Sequence, residues 1–289
     1  MAIVKSGFAA VTGLANAGKS TLINGLMQER LLITSEKKQT TRNQIRCILT
    51  GEDYQIILVD TPGIHQPKNK LGEYMLREVA SAIKNSDVVL YIVDATNPDV
   101  DLFSNFTIAK PVILALNKVD LLSPADTEAL VAQFSADPRF AAVVPVAALH
   151  GQNLDRLIAV IKDFLPAGDF LYPPDQVMDA NFRFIAAELI REQALLHLDD
   201  EVPHGIAVEI DEFKEDEREA RISATINVEK ESHKGIVIGR GGSMLKKIGS
   251  SARLKIQEAM DKTVHLKLWV SVKKNWRKDP NQLKWLGYK

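Results

Sequence analysis

Gly13-Leu14-Ala15-Asn16-Ala17-Gly18-Lys19-Ser20 is the stretch that decides the fold of the first half of this 289-residue chain. It follows an apolar run at 8–12 and precedes an amphipathic run at 21–26, which predicts a strand, a glycine-bounded loop and a helix. The spacing Gly-x-x-x-x-Gly-Lys-Ser is that of a phosphate-binding loop. Its backbone N–H groups and the helix start would surround an anion. Lys19 would reach the terminal phosphates, and the Ser20 hydroxyl would ligate magnesium.

Further apolar runs alternate with amphipathic ones as far as residue 165. They predict strands at 45–49, 54–59, 88–93, 111–116 and 142–146, and helices at 69–85 and 154–165. Near-continuous apolar strands that alternate with helices indicate a mostly parallel sheet covered on both faces. The sequence therefore predicts a doubly wound α/β domain over residues 1–166.

Two polar segments follow strands of this sheet, at the edge where open α/β sheets bind ligands. The first, Asp60-Thr61-Pro62-Gly63, carries a carboxylate that can face the magnesium held by Ser20. The second, Asn117-Lys118-Val119-Asp120, carries a carboxylate that can accept both the N1–H and the 2-amino group of guanine. Adenine lacks this pair of donors and would leave the carboxylate of Asp120 unpaired. The second segment therefore predicts a preference for guanine.

Four further residues are expected around the base. Asn117 can hydrogen-bond the base or brace its loop, and the two alternatives stay open from the sequence. The stem of Lys118 can lie on the face of the base. The backbone N–H groups of Ala147-Ala148, which follow the last predicted strand, can contact the base oxygen.

Charge is distributed unevenly along a chain whose net charge is only −1. Residues 1–180 hold 16 Lys and Arg against 20 Asp and Glu, whereas residues 230–289 hold 15 against 4. A basic segment on a nearly neutral chain indicates a polyanionic partner.

The composition also bears on location. Hydrophobic residues make up 46% and charged residues 25% of the chain, which is ordinary for a globular protein. No apolar run reaches the roughly 18 residues of a membrane span, and the N-terminus lacks a signal-peptide pattern. The single cysteine, Cys47, excludes an internal disulfide and is typical of a reducing cytoplasm. We therefore expect a cytoplasmic protein.

The second half begins with a proline-containing stretch that predicts a linker over 167–181 and a smaller domain over 182–289. The predicted elements of that domain are, in order, a helix at 182–198, strands at 206–210 and 221–229, two helices separated by the glycine stretch at 239–242, and a strand at 265–272. The second of the two helices continues over 250–260. The acidic segment 211–219 is expected to be a solvated loop. Trp269 and Trp285 are expected to pack on the domain.

The most informative stretch of the second half is Gly239-Arg240-Gly241-Gly242, followed by Lys246 and Lys247. Glycine at positions 239 and 242 would let the backbone approach a phosphate closely, and Arg240, Lys246 and Lys247 would add positive charge. Four apolar residues near this stretch would form an apolar floor beside it: Ile236, Val237, Ile238 and Ile248.

The order of the motifs in the first half resembles that of small translation-factor-class GTPases. The resemblance implies binding of GTP or GDP with Mg²⁺. It implies magnesium ligation by Ser20, Thr41 and Asp60, with Thr40 as the neighbouring alternative to Thr41, and catalysis by Lys19, Thr41 and Gly63. The implied GTP-binding residues are Gly13, Asn16, Ala17, Gly18, Lys19, Ser20, Thr21, Asp60, Thr61, Gly63, Asn117, Lys118, Asp120, Ala147 and Ala148.

The chain departs from the usual motifs of this class at three positions. Ile64 stands where Ras-like enzymes have a water-orienting glutamine, so no water-positioning side chain is assigned and a slow intrinsic rate is expected. Asn16 matches GTPases that recruit potassium in place of an arginine finger, which makes K⁺ a candidate cofactor. Ala147 replaces a serine, so a hydroxyl hydrogen bond to the base is lost.

The second domain resembles a type II KH domain, because a strand pair precedes the Gly-x-x-Gly loop. KH domains clamp about four nucleotides of single-stranded RNA, which implies RNA binding by 239–242, Lys246, Lys247, Ile238 and Ile248. Together the two domains resemble bacterial GTPases of small-subunit ribosome assembly. This resemblance implies a monomer that binds the 3′ region of 16S rRNA and the 30S subunit, with a peripheral membrane fraction. The alternative is an RNA-binding scaffold that nucleotide merely stabilises.

Two other enzyme classes fit less well. An RNA-modifying GTPase would carry a catalytic thiol, but the only cysteine, Cys47, lies in a predicted strand. A GTPase with two tandem nucleotide domains would carry two phosphate-binding loops, and this chain has one.

Overall fold

A computed structural model of the chain describes residues 3–34, 37, 39–101, 103 and 106–288. The chain divides into two compact units. The first comprises Met1–Thr34, Thr41–Pro67 and Met75–Asp179, and the second comprises Ser35–Thr40, Lys68–Tyr74 and Ala180–Lys289. No helix in the described ranges has the length and apolar character needed to cross a bilayer.

A seven-stranded sheet forms the centre of the first unit, in the order β6-β5-β4-β1-β3-β2-β7. Its strands are β1 (Lys5–Gly13), β2 (Ile45–Thr50), β3 (Tyr54–Asp60), β4 (Val88–Asp94), β5 (Val112–Asn117), β6 (Ala142–Pro145) and β7 (Met178–Asp179). Neighbouring strands from β6 to β3 pair in parallel, whereas β2 is antiparallel to β3. The predicted mostly parallel sheet is confirmed. Strand β1 lies between β3 and β4, so the phosphate-binding loop leaves the middle of the sheet.

Among the described residues, four α-helices accompany this sheet: α1 (Lys19–Met27), α2 (Lys70–Lys84), α3 (Pro124–Ser135) and α4 (Leu154–Asp163). The strands are apolar along their length because both faces are covered. Val88–Val93 is buried throughout, and so is Val112–Asn117. The carboxyl ends of β1, β3 and β5 therefore meet at one edge of a rigid sheet and carry the predicted polar segments.

The segment predicted as a linker over 167–181 contains a strand. Within β7, Met178 pairs with Cys47 and Asp179 pairs with Arg46 of β2. Earlier in the segment, the buried side chain of Gln55 accepts hydrogen bonds from the backbone N–H groups of residues 171 and 172 and donates one to the carbonyl of residue 172. A two-residue strand is too short to produce a periodic pattern, so the sequence alone did not indicate this pairing.

The second unit contains a three-stranded sheet with the order β10-β9-β8. Its strands are β8 (Ala207–Glu215), β9 (Glu219–Val228) and β10 (Thr263–Val272), and its helices are α5 (Phe182–His197), α6 (Glu231–Ile238), α7 (Ser243–Met260) and α8 (Pro280–Trp285). Strand β9 is antiparallel to β8 and parallel to β10. Helices α5, α6 and α7 pack on one face of the sheet around a core that includes Ile190, Ile226 and Ile256. The predicted order of elements is confirmed.

Two expectations for the second unit were wrong. The acidic segment 211–219 is not a loop, because β8 and β9 extend through most of it and leave only residues 216–218 as a turn. Backbone pairing holds these strands together, and it does not need apolar side chains.

The tryptophans are also distributed differently from the expectation. Trp269 and Trp285 are 51% and 74% exposed, whereas Trp276 is fully buried. The Nε1–H of Trp276 donates to the carbonyl oxygen of Gly205 at 2.9 Å, and its ring stacks on Tyr288. The hydrogen bond to Gly205 allows this burial, because a buried indole N–H needs a partner.

Candidate nucleotide site and nucleic-acid interface

The phosphate-binding loop joins β1 to α1 as predicted. Gly18 has a φ of +95°, and a Cβ there would lie 2.3 Å from the Asn117 Nδ2 atom, so both backbone conformation and space require glycine. Lys19 is buried at the first position of α1. Its Nζ donates to the carbonyl oxygens of Gly13 at 3.2 Å and Leu14 at 2.9 Å. The side chain of Lys19 therefore folds back over the loop, next to the backbone that would bind a phosphate.

Three oxygen-bearing side chains converge beside this loop. The Ser20 hydroxyl donates to Asp60 Oδ2 at 3.1 Å, and the Thr41 hydroxyl donates to the same oxygen at 3.0 Å. The two hydroxyl oxygens are 3.3 Å apart. The second carboxylate oxygen, Asp60 Oδ1, is buried and has no hydrogen-bond partner among the described residues. Magnesium prefers hard oxygen ligands, so this donor set fits the ion.

The structure distinguishes between the two threonines. Thr41 contacts Asp60, whereas the Thr40 hydroxyl donates to the carbonyl oxygen of Lys37 at 2.6 Å. This favours Thr41 over Thr40 as the magnesium ligand.

Burial shifts the pKa values of the two charged residues in this cluster. It raises the pKa of Asp60 to about 6, although the charge of Lys19 and the hydrogen bonds from Thr41 and Ser20 oppose the rise. It lowers the pKa of Lys19 to about 8, although the charge of Asp60 opposes the fall. Both shifts favour the neutral forms, because the cluster is removed from water. The site is thus a buried polar pocket in which an added cation and anion would be strongly bound.

Asn117 connects the phosphate-binding loop to the base loop. Its Nδ2 donates to the carbonyl oxygen of Ala17 at 2.9 Å, and its Oδ1 accepts from the backbone N–H of Ala148 at 3.0 Å. The side chain is almost fully buried. Of the two roles left open by the sequence, the geometry favours bracing the loops over a hydrogen bond to the base.

The loop at 147–148 also differs from the expectation. Besides the Ala148 N–H bonded to Asn117, the Ala147 N–H donates to the carbonyl oxygen of Gln152 at 3.3 Å. Both N–H groups that were predicted to contact the base therefore donate to other atoms of the chain, namely the side chain of Asn117 and the carbonyl oxygen of Gln152.

The other two residues predicted to recognise the base, Lys118 and Asp120, directly follow β5 at the same edge of the sheet. Lys118 has a φ of +67° and its Nζ lies 2.5 Å from Asp94 Oδ2, at the end of the neighbouring strand β4. The carboxylate of Asp120 lies 3.4 Å from the Nε2 atom of His150. His150 was not singled out from the sequence; its position directly after Ala147-Ala148-Leu149 is the signal that could have found it. The arrangement leaves Asp120 at the mouth of the site.

The segment that follows β3 packs against the phosphate-binding loop. The Thr61 hydroxyl donates to the carbonyl oxygen of Val11 at 2.8 Å. A Cβ at Gly63 would lie 2.9 Å from the Ala15 Cα atom, so only glycine permits this approach. The side chain of Ile64 is 3% exposed within a hydrophobic cluster. Ile64 therefore belongs to the core, and its side chain cannot orient a water molecule as the glutamine of Ras-like enzymes does.

Asn16 occupies the tip of the loop. It is exposed and adopts a left-handed conformation with a φ of +66°. This conformation is tolerated by asparagine better than by most other residues.

The glycine turn of the second unit, Gly239-Arg240-Gly241-Gly242, separates α6 from α7. Gly239 has a φ of +72°, and a Cβ there would lie 2.7 Å from the Met244 Cβ atom. By contrast, a Cβ at Gly241 or Gly242 would meet nothing within 4 Å. The backbone of the turn is thus open to an approaching phosphate, with exposed Arg240, Lys246 and Lys247 around it.

The predicted apolar floor is only partly accessible. Val237 and Ile248 are completely buried in the core, Ile238 is half-buried and Ile236 is 49% exposed. Ile248 can support the floor from below, while Ile236 and Ile238 are the residues that a base could contact.

Comparisons with known proteins agree with both units. A family described as 50S ribosome-binding GTPase matches residues 8–118, and the KH domain family matches residues 201–277. The GTPase Era of Clostridium acetobutylicum is 47% identical over 99% of this chain and 98% of its own length. The GTPase Era of Caldicellulosiruptor saccharolyticus is 47% identical over 98% and 97%. The chain belongs to the Era family of GTPases.

Solved structures of Era proteins resemble the whole chain. A crystal structure of Era with MgGDPNP and nucleotides 1506–1542 of 16S ribosomal RNA has a TM-score of 0.94 at 37% identity. A point variant of Aquifex aeolicus Era bound to GDP·AlF4⁻ has a TM-score of 0.94 at 36% identity. Each comparison covers 99% of both chains.

Within this Era-family chain, the predicted site residues form three groups. The phosphate end contains residues 13–20 with Thr41 and Asp60–Gly63. The base end contains 117–120 with Ala147 and Ala148, and Asn117 joins it to the phosphate end. The third group is the glycine turn with Arg240, Lys246 and Lys247 in the second unit.

Proposed function

We propose that this protein is a GTP-hydrolysing switch that binds the 3′ region of 16S ribosomal RNA and acts in maturation of that RNA and assembly of the small ribosomal subunit. The observation that carries the proposal is the convergence of Ser20, Thr41 and Asp60 beside the phosphate-binding loop. Thr41 lies in the loop before β2, and Asp60 is the last residue of β3. A ligand bound to both would therefore connect the loop before β2 with the loop that begins after Asp60. Era proteins solved with GTP analogues and with 16S rRNA support the same assignment.

Different residues of the nucleotide site bind the phosphates, the base and the magnesium ion. Lys19 and the N–H groups of the loop hold the β- and γ-phosphates, and Asp120 selects guanine. Ser20, Thr41 and Asp60 would hold Mg²⁺, which neutralises phosphate charge during phosphoryl transfer. Gly63 brings its backbone against Ala15, where an N–H can contact the γ-phosphate. Loss of that phosphate on hydrolysis releases the segments around Thr41 and Gly63.

The glycine turn is the proposed RNA-binding site. Gly239–Gly242 offers an open backbone to the phosphates of single-stranded RNA, as in other KH domains. Arg240, Lys246 and Lys247 supply positive charge, while Ile238 and Ile248 form and support an apolar surface for the bases.

The test is to measure the affinity of the full chain for an RNA of the 16S 3′-terminal sequence in the presence of Mg²⁺ with GDPNP and with GDP. A switch requires different affinities in the two states, because equal affinities leave no free energy for coupling. Equal affinities together with measurable GTP hydrolysis would favour the alternative, a nucleotide-stabilised RNA-binding scaffold.

The potassium requirement forms a separate part of the proposal. Asn16, exposed at the tip of the phosphate-binding loop, supports K⁺ as an additional cofactor. Turnover in KCl should exceed turnover in NaCl at equal ionic strength, and an Asn16→Ala variant should remove the difference. Equal turnover of the unaltered protein in the two salts would contradict the potassium proposal.

The partners and location are proposed more broadly. We propose a cytoplasmic monomer that binds the 30S subunit and associates peripherally with the inner membrane. Co-sedimentation with purified 30S subunits tests the first association, and flotation with anionic vesicles tests the second. Light scattering of the purified chain tests the monomeric state.

A further inference from the structure

The structure leaves one imidazole beside the phosphate-binding loop without an assigned role. Ile64 cannot orient a water because its side chain is buried and its backbone N–H donates to the carbonyl oxygen of Gly13 at 2.9 Å. The next residue is His65, and its Nδ1 atom lies 2.9 Å from the carbonyl oxygen of Gly63. A carbonyl oxygen only accepts hydrogen bonds, so Nδ1 must carry the hydrogen. In the neutral ring, Nε2 is then an acceptor.

This acceptor is buried and lacks a hydrogen-bond partner among the residues that the structure describes. Buried polar atoms in folded proteins are almost always hydrogen-bonded to protein or to ordered water. An unpartnered acceptor with a fixed tautomer is therefore a place where a water molecule, donating one of its hydrogens, would be held.

The two residues that precede His65 pack against the phosphate-binding loop. Ile64 pairs with Leu14 in an isolated parallel bridge, and Gly63 contacts the backbone of Ala15. The hydrogen bond from Nδ1 fixes the imidazole to Gly63, the residue that contacts Ala15. His65 therefore belongs to the segment that would respond to the γ-phosphate, directly after the residues that contact the loop.

We propose that Nε2 of His65 accepts a hydrogen bond from the water that attacks the γ-phosphate of GTP. This inference rests on the proposed GTPase function. The water oxygen forms a bond to the γ-phosphorus while the bond from that phosphorus to the β–γ bridging oxygen breaks. The bridging oxygen keeps the electron pair and leaves on GDP, and the water proton ends on the released phosphate. His65 orients the water and supplies the role that Ile64 cannot.

Two variants, each of which keeps one of the two polar groups of the ring, separate this role from a structural one. In His65→Asn, the side-chain amide can take the place of Nδ1–H and keep the hydrogen bond to Gly63, but it has no acceptor at the Nε2 position. In His65→Gln, the longer side chain places an amide oxygen near the Nε2 position but loses the anchor. His65→Ala removes both groups and serves as the reference.

The measurements are the affinities for GTP and GDP and the single-turnover rate of hydrolysis in the full chain. We expect all variants to bind nucleotide within about twofold of the unaltered protein. Hydrolysis should fall roughly 10-fold or more in His65→Asn and His65→Ala but stay within about threefold in His65→Gln, since a positioned acceptor contributes at least this much. The GDP·AlF4⁻ complex, which resembles the transition state, should weaken in step with the rate.

The opposite pattern overturns the inference. If His65 only anchored Gly63, His65→Asn would hydrolyse GTP normally and His65→Gln would be impaired. Loss of nucleotide affinity in every variant would likewise indicate a structural role. Absence of hydrolysis in the unaltered protein is a different result, which would contradict the proposed function itself.

Discussion

The nucleotide site buries its polar side chains, whereas the glycine turn of the second unit exposes them. Lys19, Thr41 and Asp60 are buried and hydrogen-bonded to one another or to the loop backbone. Arg240, Lys246 and Lys247 are exposed around a backbone that has open space beside Gly241 and Gly242. Buried charges cost desolvation free energy and need exact partners, while exposed charges cost little and act at longer range.

This difference has a consequence for substitutions. In the nucleotide site a change should affect both the stability of the free protein and its binding of ligand, because each buried group is also part of the local packing. At the glycine turn a change should affect binding alone.

Replacement of Lys19 by Ala should give the largest effect. It removes the charged donor to the phosphates, and charge-assisted hydrogen bonds are worth about 1.5–3 kcal/mol each, so GTP affinity should fall about 100-fold or more. RNA affinity of the nucleotide-free full chain should stay within about twofold. Fluorescent-nucleotide titration and RNA filter binding measure the two quantities. Lys110→Ala, at an exposed loop position, is the control and should change neither.

Replacement of Arg240, Lys246 and Lys247 together by Ala should weaken RNA binding about 10- to 100-fold at physiological salt. The slope of log affinity against log salt concentration should fall by about 2, because each phosphate contact on a single strand contributes about 0.7. Titrations at several salt concentrations measure this slope.

A matched control removes the same charge elsewhere in the second unit: Lys214, Arg218 and Arg221, all exposed, changed to Ala. If the control lowered RNA affinity as much as the first triple variant, binding would depend on net charge and the glycine turn would lose its special role.

Trp276 and Trp285 provide a test of burial within the second unit. Trp276→Phe leaves the carbonyl oxygen of Gly205 without its buried donor, and should lower the free energy of unfolding by about 2 kcal/mol. Trp285→Phe changes an exposed side chain and should cost less than about 0.5 kcal/mol. Urea denaturation followed by circular dichroism measures both. Equal losses would contradict the distinction between the two indoles.

Asp60 gives a pH-dependent prediction for the protein without nucleotide or Mg²⁺. Its pKa is raised from 3.8 to about 6 in the folded state, so the folded state binds more protons than the unfolded state between these values. The contribution of Asp60 to stability is therefore present below pH 4 and lost as pH rises through 6.

The matching variant is Asp60→Asn, which cannot ionise. Its stability relative to the unaltered protein should rise between pH 4 and pH 7 by about 2–3 kcal/mol, because each unit of pKa shift is worth 1.4 kcal/mol and most of the titration falls in this range. Urea midpoints of both proteins across this range measure the difference. A constant difference would show that Asp60 is not desolvated in the free protein, and the contrast between the two sites would be weaker than the structure indicates.

Local patterns identified most of the parts of both sites. The strand-loop-helix around Lys19, the segments beginning at Asp60 and Asn117, and the glycine turn at Gly239 are each recognisable from residue spacing. They are recognisable because a phosphate-binding loop or a Gly-x-x-Gly turn is specified by the conformations of consecutive residues. Six of the seven strands of the first sheet follow from the same kind of information, since their apolar runs are continuous along the chain; the seventh, β7, does not.

Other features depend on contacts between residues far apart in the chain. Asn117 bonds Ala17 across 100 positions, and Trp276 bonds Gly205 across 71. Strand β7 exists only because β2 offers an edge to Met178 and Asp179. In the case of Asn117, the sequence allowed two roles, and the geometry favours one.

By itself, the sequence determined that this protein carries a phosphate-binding loop, a segment with the pattern predicted to select guanine and a basic glycine turn, because these depend on local spacing and charge. Only the tertiary structure decided which tryptophan is buried, which threonine faces Asp60, and that Asn117 braces two loops. Only the structure also revealed that Nε2 of His65, whose ring is bonded to Gly63, has no hydrogen-bond partner in the part of the chain that the structure describes. These outcomes depend on the distances between separate segments after folding, and residue spacing along the chain does not encode them directly.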